Sequence, residues 1–209
     1  MQGVQGLKET NGARPDRSAW RAAIDHDQPR SAPRVSPARF RRGSRPQAVA
    51  LPYERADHGL RLPRATRVTV IASRFNPSIT RALARGAIRA LRLAGIAPQQ
   101  IRLIWVPGAF ELPVAAARVA RSRPRPHAIV AVGALIRGAT AQYDVIAQGV
   151  AQGLSHVAVE SAIPVTFGVV VASTAAQARA RAGGAQGNRG AEAAQAAIAL
   201  LQLFDERKI

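Results

Sequence analysis

The sequence predicts an α/β fold, a three-layer α/β/α sandwich around a four-stranded parallel sheet. Three observations lead there. From Arg67 onward, short β-branched runs alternate with longer segments of helical period. The strand candidates are apolar throughout rather than alternating, as strands covered on both faces should be. The regular part spans about 140 residues, the size of one ordinary domain.

The elements follow in order. "RVTVIAS" (67–73) is short and β-branched, as a buried strand should be. "PSITRALARGAIRALRLAG" (77–95) has helical period, with Gly95 as its stop. Arg81, Arg85, Arg89 and Arg92 share one face of it, while Ile79, Leu83, Ala87, Ala90 and Ala94 take the other. The basic stripe reads as a solvated helix face. "IRLIWVPGAF" (101–110) reads as strand and turn, and "ELPVAAARVAR" (111–121) as helix. "HAIVAVGALI" (127–136) is a third strand, followed by a helix near 143–160. "PVTFGVVVAS" (164–173) is the fourth, and helices near 174–182 and 190–205 close the chain.

Residues 1–66 differ. They hold 13 Lys+Arg against 6 Asp+Glu, and seven prolines interrupt every stretch that could form an element. Apolar residues there show no period, so burial cannot offset the ordering entropy and the segment reads as a disordered, solvated basic extension. The domain proper is then 67–209. "ARFRRGSR" (38–45) is the one stretch that suggests contact with a partner or nucleic acid.

Composition narrows the function. Among 209 residues the formal net charge is +18, an invitation to consider polyanion partners. The basic residues are almost all arginine, with only Lys8 and Lys208 as lysine, a bias that weakens that inference. No recognition-helix, zinc-finger or stacking-sheet pattern accompanies the charge, so nucleic acid is a poor partner. With no cysteine and four histidines without ligand spacing, no metal site is expected. No apolar run is long enough for a membrane span and no signal peptide opens the chain, which predicts a soluble, cytoplasmic protein without membrane contact. The GxSxG, GxxxxGK[ST] and GxGxxG signatures are missing, which disfavours hydrolase-triad, P-loop and dinucleotide chemistry.

In parallel sheets ligands bind beyond the carboxyl ends of the strands. Phe75 and Phe110 lie at such ends, where flat rings could sandwich a planar ligand, while Phe167 lies inside the fourth strand. Glu111 opens a helix, either as a dipole-favoured residue or as an acceptor for a polyol or amine. "RGAT" (137–140) places Gly138, Ala139 and Thr140 ahead of a helix, a seat suited to phosphate, although Thr140 alone would serve as a cap. "ARAGGAQGNRG" (180–190) adds Arg181 and Arg189, whose forks suit phosphate.

Taken together, "SRFN" (73–76), "VPGAFELP" (106–113), "GALIRGAT" (133–140) with "QYD" (142–144), "PVTFGVV" (164–170) and "QARARAGGAQGNRGAEAA" (177–194) resemble the 6,7-dimethyl-8-ribityllumazine synthase family of riboflavin biosynthesis. The resemblance runs from about Arg67 to Phe204. It implies a flavodoxin-like sandwich and a transferase that condenses 5-amino-6-(D-ribitylamino)uracil with 3,4-dihydroxy-2-butanone 4-phosphate, releasing phosphate and water without a cofactor. By the same resemblance Phe75 stacks on the pyrimidine ring. Ala109, Phe110 and Glu111 hold the ribityl chain and uracil amines, and Ala134, Leu135 and Ile136 line the same pocket. Phe167 comes from a neighbouring subunit. Ala139, Thr140 and Arg181 bind phosphate, with Arg189 where the family usually has lysine. The family forms homopentamers, and some members pack twelve pentamers into icosahedral shells. The short "GGAQGN" connection (183–188) is similar to that of the shell formers.

Gln142 stands where the family's motif has the histidine taken as proton donor or acceptor. Glutamine donates and accepts hydrogen bonds but exchanges no proton near neutral pH. General acid–base help is worth ~10²–10⁴ in rate, whereas holding two reactants together lowers a barrier by ~7–11 kcal/mol. An active, slower synthase is therefore expected, with Gln142 positioning substrate or water. The alternative is a catalytically weakened shell-forming or flavin/lumazine-binding relative.

Overall fold

The computed structural model describes residues 62–207. Its order is β1 (Val68–Ser73), α1 (Pro77–Leu93), β2 (Ile101–Val106), α2 (Leu112–Ala120), β3 (Ala128–Ile136), α3 (Gln142–Ser161), β4 (Val165–Ala172), α4 (Ala175–Ala180), β5 (Ala182–Gly184), β6 (Gly187–Asn188) and α5 (Arg189–Arg207). The four long strands pair in parallel in the order β2-β1-β3-β4, the flavodoxin-like order. The α/β/α layering expected from the apolar strands is the observed one.

Side-chain alternation along the strands splits the core between the two faces. Val68, Val70 and Ala72 of β1, with Val130 and Val132 of β3, meet Leu83, Ala87 and Leu91 of α1 and Ala194, Ala197 and Ile198 of α5. Ile71, Ile129 and Ala131 face the other way, onto Leu112, Ala116 and Val119 of α2 and Val150, Leu154 and Val157 of α3. The first layer is alanine-rich, so α1 and α5 approach closely. A Cβ on Gly190 would collide with the Leu83 carbonyl.

α1 starts at Pro77, whose fixed φ suits a first helical position. It stops before Gly95, which takes φ +86°, as the sequence predicts. All four arginines of its stripe are exposed, and among the described residues none enters an ion pair. The central strands β1 and β3 are buried along most of their length. β2 and β4 are the sheet edges, which explains why Leu103, Phe167 and Val171 remain partly exposed despite an apolar sequence.

One element differs from the sequence reading. The glycine-rich stretch between the last two helices forms the antiparallel pair β5–β6, with Gly183 at φ +107° and Gly187 at φ +78°. Strands of two and three residues are too short to leave a periodic pattern. At the other end, Leu62 already packs against the core and Thr66 is buried. The rest of the predicted basic extension, including 38–45, lies outside the described residues.

Candidate active site at the carboxyl end of the sheet

β1 and β3 are neighbours whose following connections leave on opposite faces, to α1 and to α3. The carboxyl ends of this pair therefore open a crevice. Three backbone and side-chain bonds tie its rim. The Arg74 N–H donates to the Val106 carbonyl at 2.8 Å, and the Phe75 N–H to the Pro107 carbonyl at 3.2 Å. The Asn76 amide reaches across to the Ala134 carbonyl at 3.4 Å. Asn76 sits at φ 57°, ψ 59°, the left-handed region that asparagine tolerates better than most residues. Sequence reasoning quoted this asparagine without giving it a role; its signal was an Asn directly before a Pro-initiated helix.

Phe75 and Phe110 stand on the rim with 71% and 62% of their surface exposed, far more than core aromatics show. Phe110 leans toward α3, where one ring carbon lies 3.5 Å from the position a Cβ on Gly149 would take. In the turn after β2, the Gly108 N–H donates to Glu111 Oε2 at 2.7 Å. Glu111 occupies the N-cap position of α2, yet its side chain caps no helical amide. The carboxylate instead bends back over the Gly108 turn, where a Cβ would approach Oε2 to 2.9 Å. That holds an acceptor at the rim.

Beneath the rim, Ala109 is buried and packs with the α2/α3 layer. Ala134, Leu135 and Ile136 end β3, but they do not all face one way. Ala134 and Ile136 belong to the α1/α5 layer and Leu135 to the α2/α3 layer, beside Ala109. Ser73 lies at the same depth, fully buried, with its hydroxyl unpartnered among the described residues.

Ala139 and Thr140 are exposed ahead of α3, and no side chain caps that helix. The Asp144 N–H turns back to the Ala141 carbonyl at 3.1 Å, which leaves the amides before it at the positive dipole end without a side-chain cap. Arg137, which sequence reasoning passed over, braces this loop. Its N–H donates to the Ala172 carbonyl at 3.0 Å, and its guanidinium lies 5.5 Å from the Tyr143 ring centre and 3.9 Å from Asp144. Gln142, the first residue of α3, is exposed.

Arg181 and Arg189 flank the β5–β6 hairpin, which Asn188 fastens to α1 through the Ala82 carbonyl at 3.1 Å. No hydrogen bond or ion pair among the described residues joins them to Ala139 or Thr140. Phe167 is remote from the crevice. It pairs with Ala131 in mid-sheet, five residues before β4 ends at Ala172, hence ~16 Å from the carboxyl edge at about 3.3 Å per residue. A recess of about 700 Å³ opens at the amino end of the sheet, lined by Arg121, Arg123 and Glu160 among others, and contains none of the predicted site residues.

The model of the 6,7-dimethyl-8-ribityllumazine synthase family matches residues 65–205. The chain belongs to that family. A protein named 6,7-dimethyl-8-ribityllumazine synthase from Gemmatimonas aurantiaca is 50% identical over 139 residues, 66% of this chain and 84% of that protein. Its namesake from Coxiella burnetii is 41% identical over 143 residues, 68% of this chain and 94% of the other. One from Leuconostoc mesenteroides is 39% identical over 142 residues, covering 68% and 90%. The rim turn at Gly108–Glu111, the loop before α3 and the hairpin all fall inside the matched span of the family model. No helix among the described residues is long and apolar enough to cross a membrane.

Proposed function

We propose that the chain is a transferase of riboflavin biosynthesis that forms 6,7-dimethyl-8-ribityllumazine from 5-amino-6-(D-ribitylamino)uracil and 3,4-dihydroxy-2-butanone 4-phosphate. The observation that carries this reading is the carboxyl end of the sheet itself: two largely exposed rings, Phe75 after β1 and Phe110 after β2, and a carboxylate, Glu111, held by the Gly108 amide. A planar uracil with a polyol tail needs both features, a stacking face and a fixed acceptor.

In this reading Phe75 stacks on the pyrimidine, while Phe110 and Glu111 hold the ribityl chain and the amines, with Ala109 beneath. The end of β3 from Ala134 to Ile136 forms the floor. The 5-amine of the uracil condenses with the ketone carbonyl and one water leaves; phosphate is eliminated from the terminal carbon, the resulting enol becomes a second carbonyl, and the ribitylamino nitrogen closes the ring on it with loss of a second water. Ala139 and Thr140 offer open amides and a hydroxyl to the phosphate, joined by Arg181 and Arg189. Gln142, at the head of α3, orients the reacting groups through hydrogen bonds, and protons pass to solvent. Nothing in this scheme calls on a metal or organic cofactor.

The positions of Phe167, Arg181 and Arg189 support a homo-oligomer. Phe167 is partly exposed on an edge strand, far from its own crevice, and no hydrogen bond or ion pair among the described residues joins the arginine pair to the phosphate loop. A second copy presenting its β4 edge and hairpin would complete the crevice. We read the assembly as a pentamer, with the short hairpin favouring a shell of twelve pentamers, at work in the cytoplasm on small-molecule substrates.

The test is direct. Mixing both substrates with the protein should accelerate the rise of lumazine absorbance and the release of phosphate in step. A rate equal to the spontaneous background would remove the enzyme reading.

A further inference from the structure

One carboxylate oxygen holds both arginines of the hairpin. Glu192 Oε2 accepts from Arg189 Nη1 at 2.9 Å and from Arg181 Nη2 at 3.2 Å. Arg181 Nη1 donates in addition to the Gln186 carbonyl at 2.9 Å. A carboxylate in the first turn of α5 paired with Arg189 three residues back would be an ordinary surface pair, worth little. The reach to Arg181, eleven residues away in sequence, is not ordinary.

The backbone of the hairpin does not depend on that carboxylate. The Arg189 N–H donates to the Arg181 carbonyl at 2.8 Å, and the Gln186 N–H to the Ala180 carbonyl at 3.0 Å. Asn188 Oδ1 accepts the Ala191 N–H at 3.1 Å while its amide grips α1. The two main chains are therefore held together without Glu192, and only the long side chains need it. Each guanidinium carries five donors in a planar fork. Arg181 commits Nη1 and Nη2, and Arg189 commits Nη1, so the remaining edges of both forks stay open for a tetrahedral anion. Two guanidiniums and one carboxylate leave the cluster a single net positive charge, arranged on both sides of one point.

We propose that Glu192 is a positioning residue, holding the Arg181 and Arg189 side chains together as one preformed seat for a phosphate monoester. The inference rests on the assignment of those arginines to the phosphate. Two effects compete when the carboxylate is neutralised. The cluster gains a positive charge, which would tighten an anion, and both side chains regain their rotamer freedom, which loosens it. Both arginines are partly exposed, at 31% and 46% of the side chain, so solvent screens the added charge and the lost order wins.

Steady-state kinetics of the full chain with each substrate varied in turn tests this. Glu192→Gln, which keeps volume and an acceptor but not the charge, should raise KM for the phosphorylated ketone about tenfold. KM for the ribitylaminouracil and the thermal midpoint should hardly move, and competitive inhibition by inorganic phosphate should weaken by the same factor. A phosphorylated-ketone KM that stays the same or falls overturns the proposal. So does an equal rise in both KM values with a lowered midpoint, the mark of a purely structural role. Arg181→Ala is run beside it. If that variant raises the KM and Glu192→Gln does not, the role of Glu192 alone fails; if neither moves it, the phosphate assignment of the hairpin fails with it.

Discussion

Glu111 accepts the Gly108 N–H at 2.7 Å, and a Cβ on Gly108 would lie only 2.9 Å from the same oxygen. A side chain at residue 108 would therefore oblige the carboxylate to shift from this position. Gly108→Ala should push Glu111 off its turn. A displacement of about 1 Å at a reacting site costs ~10² in rate, so kcat/KM should fall about a hundredfold with little change in the melting midpoint. Unchanged kinetics would separate the turn from catalysis.

Phe75 is largely exposed, so its ring contributes little to the fold. Base–aromatic stacking is worth ~1–3 kcal/mol. Phe75→Ala should therefore raise KM for the ribitylaminouracil about tenfold or more, leave KM for the phosphorylated ketone near its starting value, and preserve the thermal midpoint. Equal effects on both substrates would argue against stacking.

Gln142 is exposed at the first position of α3, with room for an imidazole. Gln142→His would place a group that exchanges protons near neutral pH at the head of that helix. Turnover should rise by at least tenfold, toward the ~10² lower end of general acid–base help, and a new pH dependence should appear between about 6 and 8. A flat, unaltered profile would mean that proton transfer does not limit the rate.

His127 lies before β3, at the opposite end of the sheet. Burial first, and the Arg67 charge second, hold its imidazole below the ordinary value of 6.5. Nδ1 accepts the Arg67 N–H at 2.9 Å, a bond that protonation at that nitrogen would break. The unfolded chain then binds the proton more readily than the folded one. Stability from this group is full above about pH 6.5 and declines as pH falls below it. Comparing melting at pH 7.5 and 5.5, His127→Gln should lose less between the two than the parent protein does.

Gly190 faces the Leu83 carbonyl where α5 crosses α1. Gly190→Ala must force the two helices apart, and overpacking of this kind costs ~1–3 kcal/mol. A melting midpoint lowered by several degrees is expected. An unchanged midpoint would mean that the layer yields without strain.

How much was legible in the sequence follows from which forces are local. The four strands, the helix stop at Gly95 and the layer order could be read because burial on both faces writes continuous apolar runs and period-3.6 stripes. Phe75, Phe110 and Glu111 could be placed at strand ends from spacing alone. The β5–β6 hairpin could not, because two- and three-residue strands leave no period.

The sequence by itself determined the fold class, the family and the residue types available to a planar, phosphorylated pair of substrates. Only the tertiary structure decided which of those residues meet. It put Ala134 and Leu135 on opposite faces, since neighbouring strand residues point apart. It left Phe167 in mid-sheet, because pairing with Ala131 fixes its height. It also joined Arg181 to Glu192, eleven residues on, because the hairpin folds back on itself; spacing along the chain carries no record of a contact made by a turn.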